Sequence, residues 1–262
     1  MYYLGLDLGS LSCDAVLIDA DANIMATSVV PTGAKNREAI ARAQREVLEL
    51  SGVAETDVAA TVSTGYGRER VEKKIATVTE ITCHGRGMEA MLPGTRVLID
   101  IGGQDSKAIF LDGKGRVLDF AMNDKCAAGT GRFLEAMARA LQVDIEELAN
   151  LDQGAVSNLT LSSMCTVFAE SEVVSLIAEG KEVNEIVAGL NRSIASRTLS
   201  MVRRVCPDLT GMALAMSGGV AHNQGVVRAL SAALGVPVQV PEKPDTVGAL
   251  GAALIARDRN GK

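Results

Sequence analysis

Two cysteines stand where chemistry is possible. Cys126 lies in Asn123-Asp-Lys-Cys-Ala-Ala-Gly-Thr-Gly-Arg-Phe-Leu-Glu135, after a strand-like run over 116–122. Apolar Phe133, Leu134, Met137 and Leu141 then set a helical pattern. Cys165 closes Ser162-Ser-Met-Cys165 and leads into a helical run over 166–177. A helix start presents unpaired backbone N–H groups and a partial positive charge. It can hold phosphate, for which Gly129, Thr130 and Gly131 are placed, or favour a thiolate over a thiol. The remaining cysteines, Cys13, Cys83 and Cys206, read as packing residues. The count of five is odd and contains no Cys-x-x-Cys. A four-cysteine metal site must therefore collect ligands from distant positions or from two chains.

A second chemistry is written twice. Residues 3–19 line up without gaps against residues 96–112, and Asp7, Gly9 and Asp19 coincide with Asp100, Gly102 and Asp112. Each copy is an apolar strand, Asp-x-Gly, a small polar turn and a second strand. Glycine lets backbone approach a phosphate, and small polar neighbours add donors. Gly9, Ser10, Leu11 and Ser12 do this in the first copy; Gly102, Gly103 and Gln104 do it in the second. Asp7 and Asp100 fall at strand ends, where carboxylates hold magnesium, usually through water. Ser217-Gly-Gly-Val220 ends another strand, so Gly218, Gly219 and Val220 suit a nucleotide's sugar and α-phosphate. The chain has no G-x-x-x-x-G-K-[ST] and is not a P-loop protein.

The elements that must position these groups follow from periodicity. Strands are expected over 2–8, 14–19, 24–30, 58–62 and 78–81, with helices over 36–50 and 84–91. Pro93-Gly94 breaks the chain, which places one domain at 1–94 and a second at 95–262. In the second, helices follow Cys126, span 144–151, follow Cys165 and run over 183–205 and 223–234. Strands occupy 212–217 and 236–240. A small-residue helix over 245–257, with Asp245 as N-cap, packs back on the first domain.

Bulk properties limit the alternatives. The 262 residues are 47% hydrophobic with no tryptophan, so the core is aliphatic. A net charge of −6 argues against non-specific nucleic-acid binding. No apolar run reaches the ~18 residues of a membrane span. The first residues lack the pattern of a secretion signal, which predicts a cytoplasmic protein.

Together these segments resemble the actin, Hsp70 and sugar-kinase superfamily. More closely they resemble the ATP-dependent activators of 2-hydroxyacyl-CoA dehydratases, the BadF/BadG/BcrA/BcrD group that includes ATP-binding subunits of benzoyl-CoA reductase. The matching residues are Leu6-Asp-Leu-Gly-Ser10, Glu80-Ile-Thr-Cys-His84, Asp100-Ile-Gly-Gly-Gln-Asp-Ser-Lys107, the run 123–135, Cys165-Thr-Val-Phe-Ala-Glu-Ser-Glu172 and Ser217-Gly-Gly-Val220. The resemblance implies an α/β fold of two related actin/Hsp70-like (ribonuclease H-like) domains with an ATP cleft between them. It implies a homodimer sharing one 4Fe–4S cluster, with Cys126 and Cys165 from each subunit as ligands. ATP and Mg2+ would bind with Asp7 and Asp100, and Gln104 or Asp105 would orient the attacking water. Reduced ferredoxin or flavodoxin would load the cluster, and a 2-hydroxyacyl-CoA dehydratase (component D) would receive the electron. Three alternatives remain: another acceptor such as an aromatic acyl-CoA reductase; a small-molecule or sugar kinase without a cluster, using Asp124 as base; or an actin-like, nucleotide-dependent interaction protein that assembles without iron. Lys107 and Lys125 could meet phosphate, and His84 packs or caps a helix.

Overall fold

In the computed structural model, residues 1–156, 158–161 and 165–260 are described. Ser162, Ser163 and Met164, ahead of Cys165, lie outside them. Internal contacts divide the chain into two compact units: Met1–Arg96 with Leu111–Asp119 and Pro241–Lys262, and Val97–Phe110 with Phe120–Val240. The division is not a single cut at residue 94, because the C-terminal segment and one hairpin tip join the first unit.

The first sheet holds β1 (Tyr2–Leu8), β2 (Ser12–Asp19), β3 (Ile24–Pro31), β4 (Val58–Gly65) and β5 (Ala76–Thr77) in the order β3-β2-β1-β4-β5. Two helices, α1 (Asn36–Ser51) and α2 (Glu80–Met91), fall between and after these strands. Alternation along β1 sorts its side chains. Leu4, Leu6 and Leu8 pack with Ala39, Ile40, Ala43 and Val47 of α1. Tyr3 packs on the other side with Cys83 of α2 and with Ala249, Ala252 and Ala253 of the C-terminal helix. Gly5 and Asp7 share that second face. A Cβ at Gly5 would collide with Ala249 O, and one at Gly87 with Val247 O. Small residues therefore let the C-terminal helix press against both β1 and α2.

The second sheet holds β6 (Val97–Ile101), β7 (Ser106–Leu111), β8 (Val117–Asn123), β9 (Leu214–Ser217) and β10 (Val238–Gln239). Its order, β10-β9-β6-β7-β8, is the first sheet's order read from the other edge. Both sheets open on an antiparallel hairpin, and both pair the first strand in parallel with the fourth. The sequence repeat is thus a repeat of topology, as expected for two related actin/Hsp70-like domains. The helices are α3 (Gly131–Leu141), α4 (Thr166–Ala178), α5 (Val183–Val205), α6 (Gln224–Leu234) and α7 (Val247–Asn260). Val97, Ile99 and Ile101 of β6 share a core with Met137, Ile186, Ile194 and Val226.

Some expected elements differ. The strand over 78–81 does not form; Thr79 instead caps α2 by accepting from Thr82 N, so Ile81 is helical. That cap outweighs the β-branched run. The helix over 144–151 reduces to a 3₁₀ turn at Glu147–Ala149. It buries Leu148 but leaves Ile145 exposed, too little packing for a helix of its own. Asp245 lies in a 3₁₀ turn, Pro244–Thr246, rather than at an N-cap. Among the described residues no helix is long and apolar enough to cross a membrane.

Candidate nucleotide and thiol site

The turn of the second hairpin is wired to the Cys126 loop. Gly102 N donates to Asp105 O at 3.0 Å and closes the turn. Gly102 O accepts from Gly131 N, and Gly103 O from Arg132 N, both at 2.9 Å. The Thr130 hydroxyl lies 2.9 Å from Gly103 O and 2.6 Å from Ala127 O. At the loop's other end, Asn123 Nδ2 donates to Cys126 O at 3.0 Å. Gly129 takes φ +86°, a left-handed turn that glycine adopts without strain. Cys126 sits in the loop just ahead of α3. One expectation changes: the first amides of α3, at Gly131 and Arg132, are not free, because the hairpin turn accepts them.

Behind this turn lies a buried charge cluster. Lys107 Nζ stands 3.1 Å from Asp100 Oδ2 and 2.6 Å from Asp105 Oδ2, and both lysine and carboxylates are nearly inaccessible. Ser217 Oγ donates to Asp100 Oδ1 at 2.8 Å. This bond ties the end of β9 to β6, and Gly218 turns away with φ +83° where a Cβ would collide with Ile101 O. Asp100 thus holds a lysine and a serine, and Asp105 faces the same lysine. Gln104, at the tip, is exposed. Val220 is buried, so only its backbone can meet a ligand, beside Gly219 in the 3₁₀ turn Gly219–His222.

The first hairpin repeats the turn with other partners. Gly9 N donates to Ser12 O at 2.9 Å. Thr32 donates its N–H to Leu11 O at 2.8 Å and its hydroxyl to Gly9 O at 3.0 Å. Beyond the closing bond, these contacts occupy carbonyls of the Gly9–Ser12 turn; a phosphate needs amides. Asp7 lies directly across from Asp14 in the hairpin register. A Cβ at Gly248 would collide with Asp7 Oδ2 and lie 2.7 Å from His84 Cε1, so Asp7 packs on the first turn of α7 beside His84. His84 Nδ1 is 2.9 Å from Glu80 O, the packing role expected of it.

The five thiols separate by environment. Burial pushes Cys13 and Cys83 up to about 12, and Cys206 is buried as well. Cys126 is partly exposed and Cys165 is exposed. Cys165 is the N-cap residue of α4, and α4 packs against α3. Around it α4 shows an unusual surface: Val167 and Phe168 are each 67% exposed and Val174 54%. The two accessible thiols are soft ligands of the type an iron–sulfur cluster takes. Among the described residues no three His, Cys, Asp or Glu side chains group as a metal site. One chain's thiols would form half of a cubane's ligand set.

Comparison with known proteins decides the family. The model of the BadF/BadG/BcrA/BcrD ATPase family matches residues 4–256. The chain belongs to this family. It is 46% identical over 256 residues to an activator of lactoyl-CoA dehydratase from Anaerotignum propionicum, covering 98% of this chain and 97% of that one. The crystal structure of (R)-2-hydroxyglutaryl-CoA dehydratase component A from Acidaminococcus fermentans superposes with a TM-score of 0.94 at 41% identity, covering both chains completely. The activator of 2-hydroxyisocaproyl-CoA dehydratase from Clostridium difficile, solved with bound ADPNP, gives 0.91 at 41% identity, over 100% of this chain and 96% of that one.

Sequence reasoning missed Asp14, Thr32 and the Lys107 ion pairs. The repeat carried a signal for two of these: in its gapless alignment Asp14 faces Lys107, opposite Asp7 and Asp100. Thr32 lies outside the repeat and gave none.

Proposed function

We propose that this protein is an ATP-hydrolysing activator that passes a low-potential electron to a 2-hydroxyacyl-CoA dehydratase. The observation that carries this reading is the set of bonds from Gly102 O and Gly103 O to Thr130, Gly131 and Arg132. A turn suited to phosphate shares its carbonyls with the loop that bears Cys126. Loss of the γ-phosphate contact would release the turn, and Thr130 would draw the cysteine loop with it.

The chain's residues take definite roles. The amides of the Gly9–Ser12 and Gly102–Asp105 turns bind ATP phosphates, and the backbone at Gly218–Val220 meets the nucleotide. Gln104, exposed at its tip, orients the attacking water; Asp105 is engaged by Lys107 and holds the turn instead. Asp7 is the carboxylate offered to Mg2+, whereas Asp100 positions β6 and β9. Cys126 and Cys165 from each of two subunits ligate the cluster. When bound, a 4Fe–4S cluster would supply one-electron storage, filled by reduced ferredoxin or flavodoxin. The exposed apolar residues of α4 beside Cys165 support a homodimer that covers them and keeps water from the thiols. A cytoplasmic setting, which keeps thiols reduced, accords with five cysteines outside any disulfide.

The test mixes anaerobically purified, reduced protein with a dehydratase component and a 2-hydroxyacyl-CoA. Dehydration that requires ATP hydrolysis is expected. Dehydration at the same rate without ATP would reject the reading, and electron delivery to an aromatic acyl-CoA reductase alone would replace the acceptor.

A further inference from the structure

The two hairpins share a register but not a charge pattern. In the second, Asp100 and Asp105 flank the Lys107 ammonium. In the first, the corresponding positions are Asp7, Ser12 and Asp14, so an aspartate stands where the lysine would be. Asp7 and Asp14 are 7% and 5% exposed and lie directly opposite each other. By strand alternation both face the layer of α2 and α7. The charged and titratable groups that act on Asp14 there, besides Asp7, are Asp245 from the turn before α7 and His84 from α2; Asp7 also acts on Cys83 of α2, which Glu80 and Arg259 reach as well. Ser12 Oγ donates to Asp14 Oδ2 at 3.2 Å. Asp14 Oδ1 is buried without a hydrogen-bond partner among the described residues. Two opposed carboxylates in a buried site repel, and an orphaned oxygen adds a desolvation cost. The second hairpin shows what relieves this: a cation seated against the strand-end aspartate.

We propose that Asp14 is a direct ligand of a divalent cation that Asp7 also holds, the cation taking the seat filled by the Lys107 ammonium in the second hairpin. Two carboxylates carry the charge of one Mg2+, and Mg2+ is usually bound by one or two carboxylates with water and substrate phosphate completing its shell. That coordination needs no third protein side chain. Asp100, already paired with Lys107 and Ser217, is not this ligand. The magnesium site of this chain is therefore built within one hairpin. The inference rests on the ATPase reading for the nucleotide that completes the shell.

Mn2+ binding followed by electron paramagnetic resonance, with Mg2+ competition and with ADP present or absent, tests it. Asp14→Asn should weaken cation affinity by about tenfold or more, the scale seen when a metal's supporting groups are lost. Asp14→Lys, which rebuilds the second hairpin's pattern, should fold, bind no Mn2+ at this site and melt at a temperature insensitive to Mg2+. Nucleotide affinity is measured in parallel with a fluorescent ADP. Wild-type cation affinity in Asp14→Asn would overturn the proposal while leaving the ATPase reading intact. A wild-type protein that binds Mn2+ but no nucleotide would support this seat and reject that reading. A wild-type melting temperature unmoved by Mg2+, with no Mn2+ signal, would overturn the proposal outright.

Discussion

At the scale of residues, five cysteines of one chemistry are divided by where they lie. Cys13 and Cys83 are held as thiols up to about 12, and Cys206 is buried. Thiolate is the reactive form. A short alkylation of the metal-free protein at pH 8, read by mass spectrometry, should therefore label Cys126 and Cys165 and spare the others. The same shifts give an alkaline limit. The unfolded chain releases these thiol protons near 9.0, whereas the folded chain keeps them to about 12. The folded state then binds more protons, so stability is full below pH 9 and declines as pH rises toward 12. Denaturant melts across that range, made under reducing conditions, check the direction. Lys107 gives a second residue-scale prediction. Lys107→Met leaves Asp100 and Asp105 buried without their cation and should cost about 3–5 kcal/mol in urea unfolding. Adding Asp105→Asn should recover part of that loss.

At the scale of elements, α4 and α7 show opposite solutions. The first presents Val167, Phe168 and Val174 outward. Phe168→Glu should shift the protein from dimer to monomer in sedimentation and lower iron retention, with the helix itself intact. The second helix is buried through small residues: a Cβ at Gly251 would collide with Cys83 O. Gly251→Ala should cost roughly 1–3 kcal/mol by overpacking against α2, read as an earlier midpoint in denaturant. Both helices were legible as sequence, α4 by its start at Cys165 and α7 by its run of Ala and Gly. The repeated hairpins were legible too, because a strand, Asp-x-Gly and a strand recur in register. What the pattern did not carry was competition at boundaries. Val78 and Ile81 read as strand, yet Thr79 closes the first turn of a helix. The segment after Asp144 carries helical spacing without enough buried apolar surface. The bonds of Gly102 and Gly103 to the Cys126 loop were illegible for another reason. They join two backbone segments brought together only by folding, and backbone carbonyls leave no residue-type signature.

At the scale of the molecule, two units of one topology have diverged in what their hairpins hold. In one unit the hairpin turn is braced by Thr32, inside the same unit. In the other it is braced by the loop that carries Cys126, a proposed ligand. Under the proposed function, the second is the one that would pass a change at phosphate to a thiol, and both proposed cluster ligands belong to that unit. Thr130→Val removes the hydroxyl that reaches Gly103 O while keeping a β-branched shape. Such a variant should hydrolyse ATP near the wild-type rate yet deliver electrons at least about tenfold more slowly, the loss of a contact worth ~1.4 kcal/mol. Equal losses in both rates would place Thr130 in hydrolysis instead. The most direct measurement is iron content and electron paramagnetic resonance of anaerobically purified protein, wild type beside Cys165→Ser, with nucleotide binding measured on the same samples. The expected result is about four irons per dimer and a reduced-cluster signal in the wild type, with iron lost and ADP binding kept in Cys165→Ser. Iron and signal retained in Cys165→Ser would contradict a cluster shared through Cys126 and Cys165.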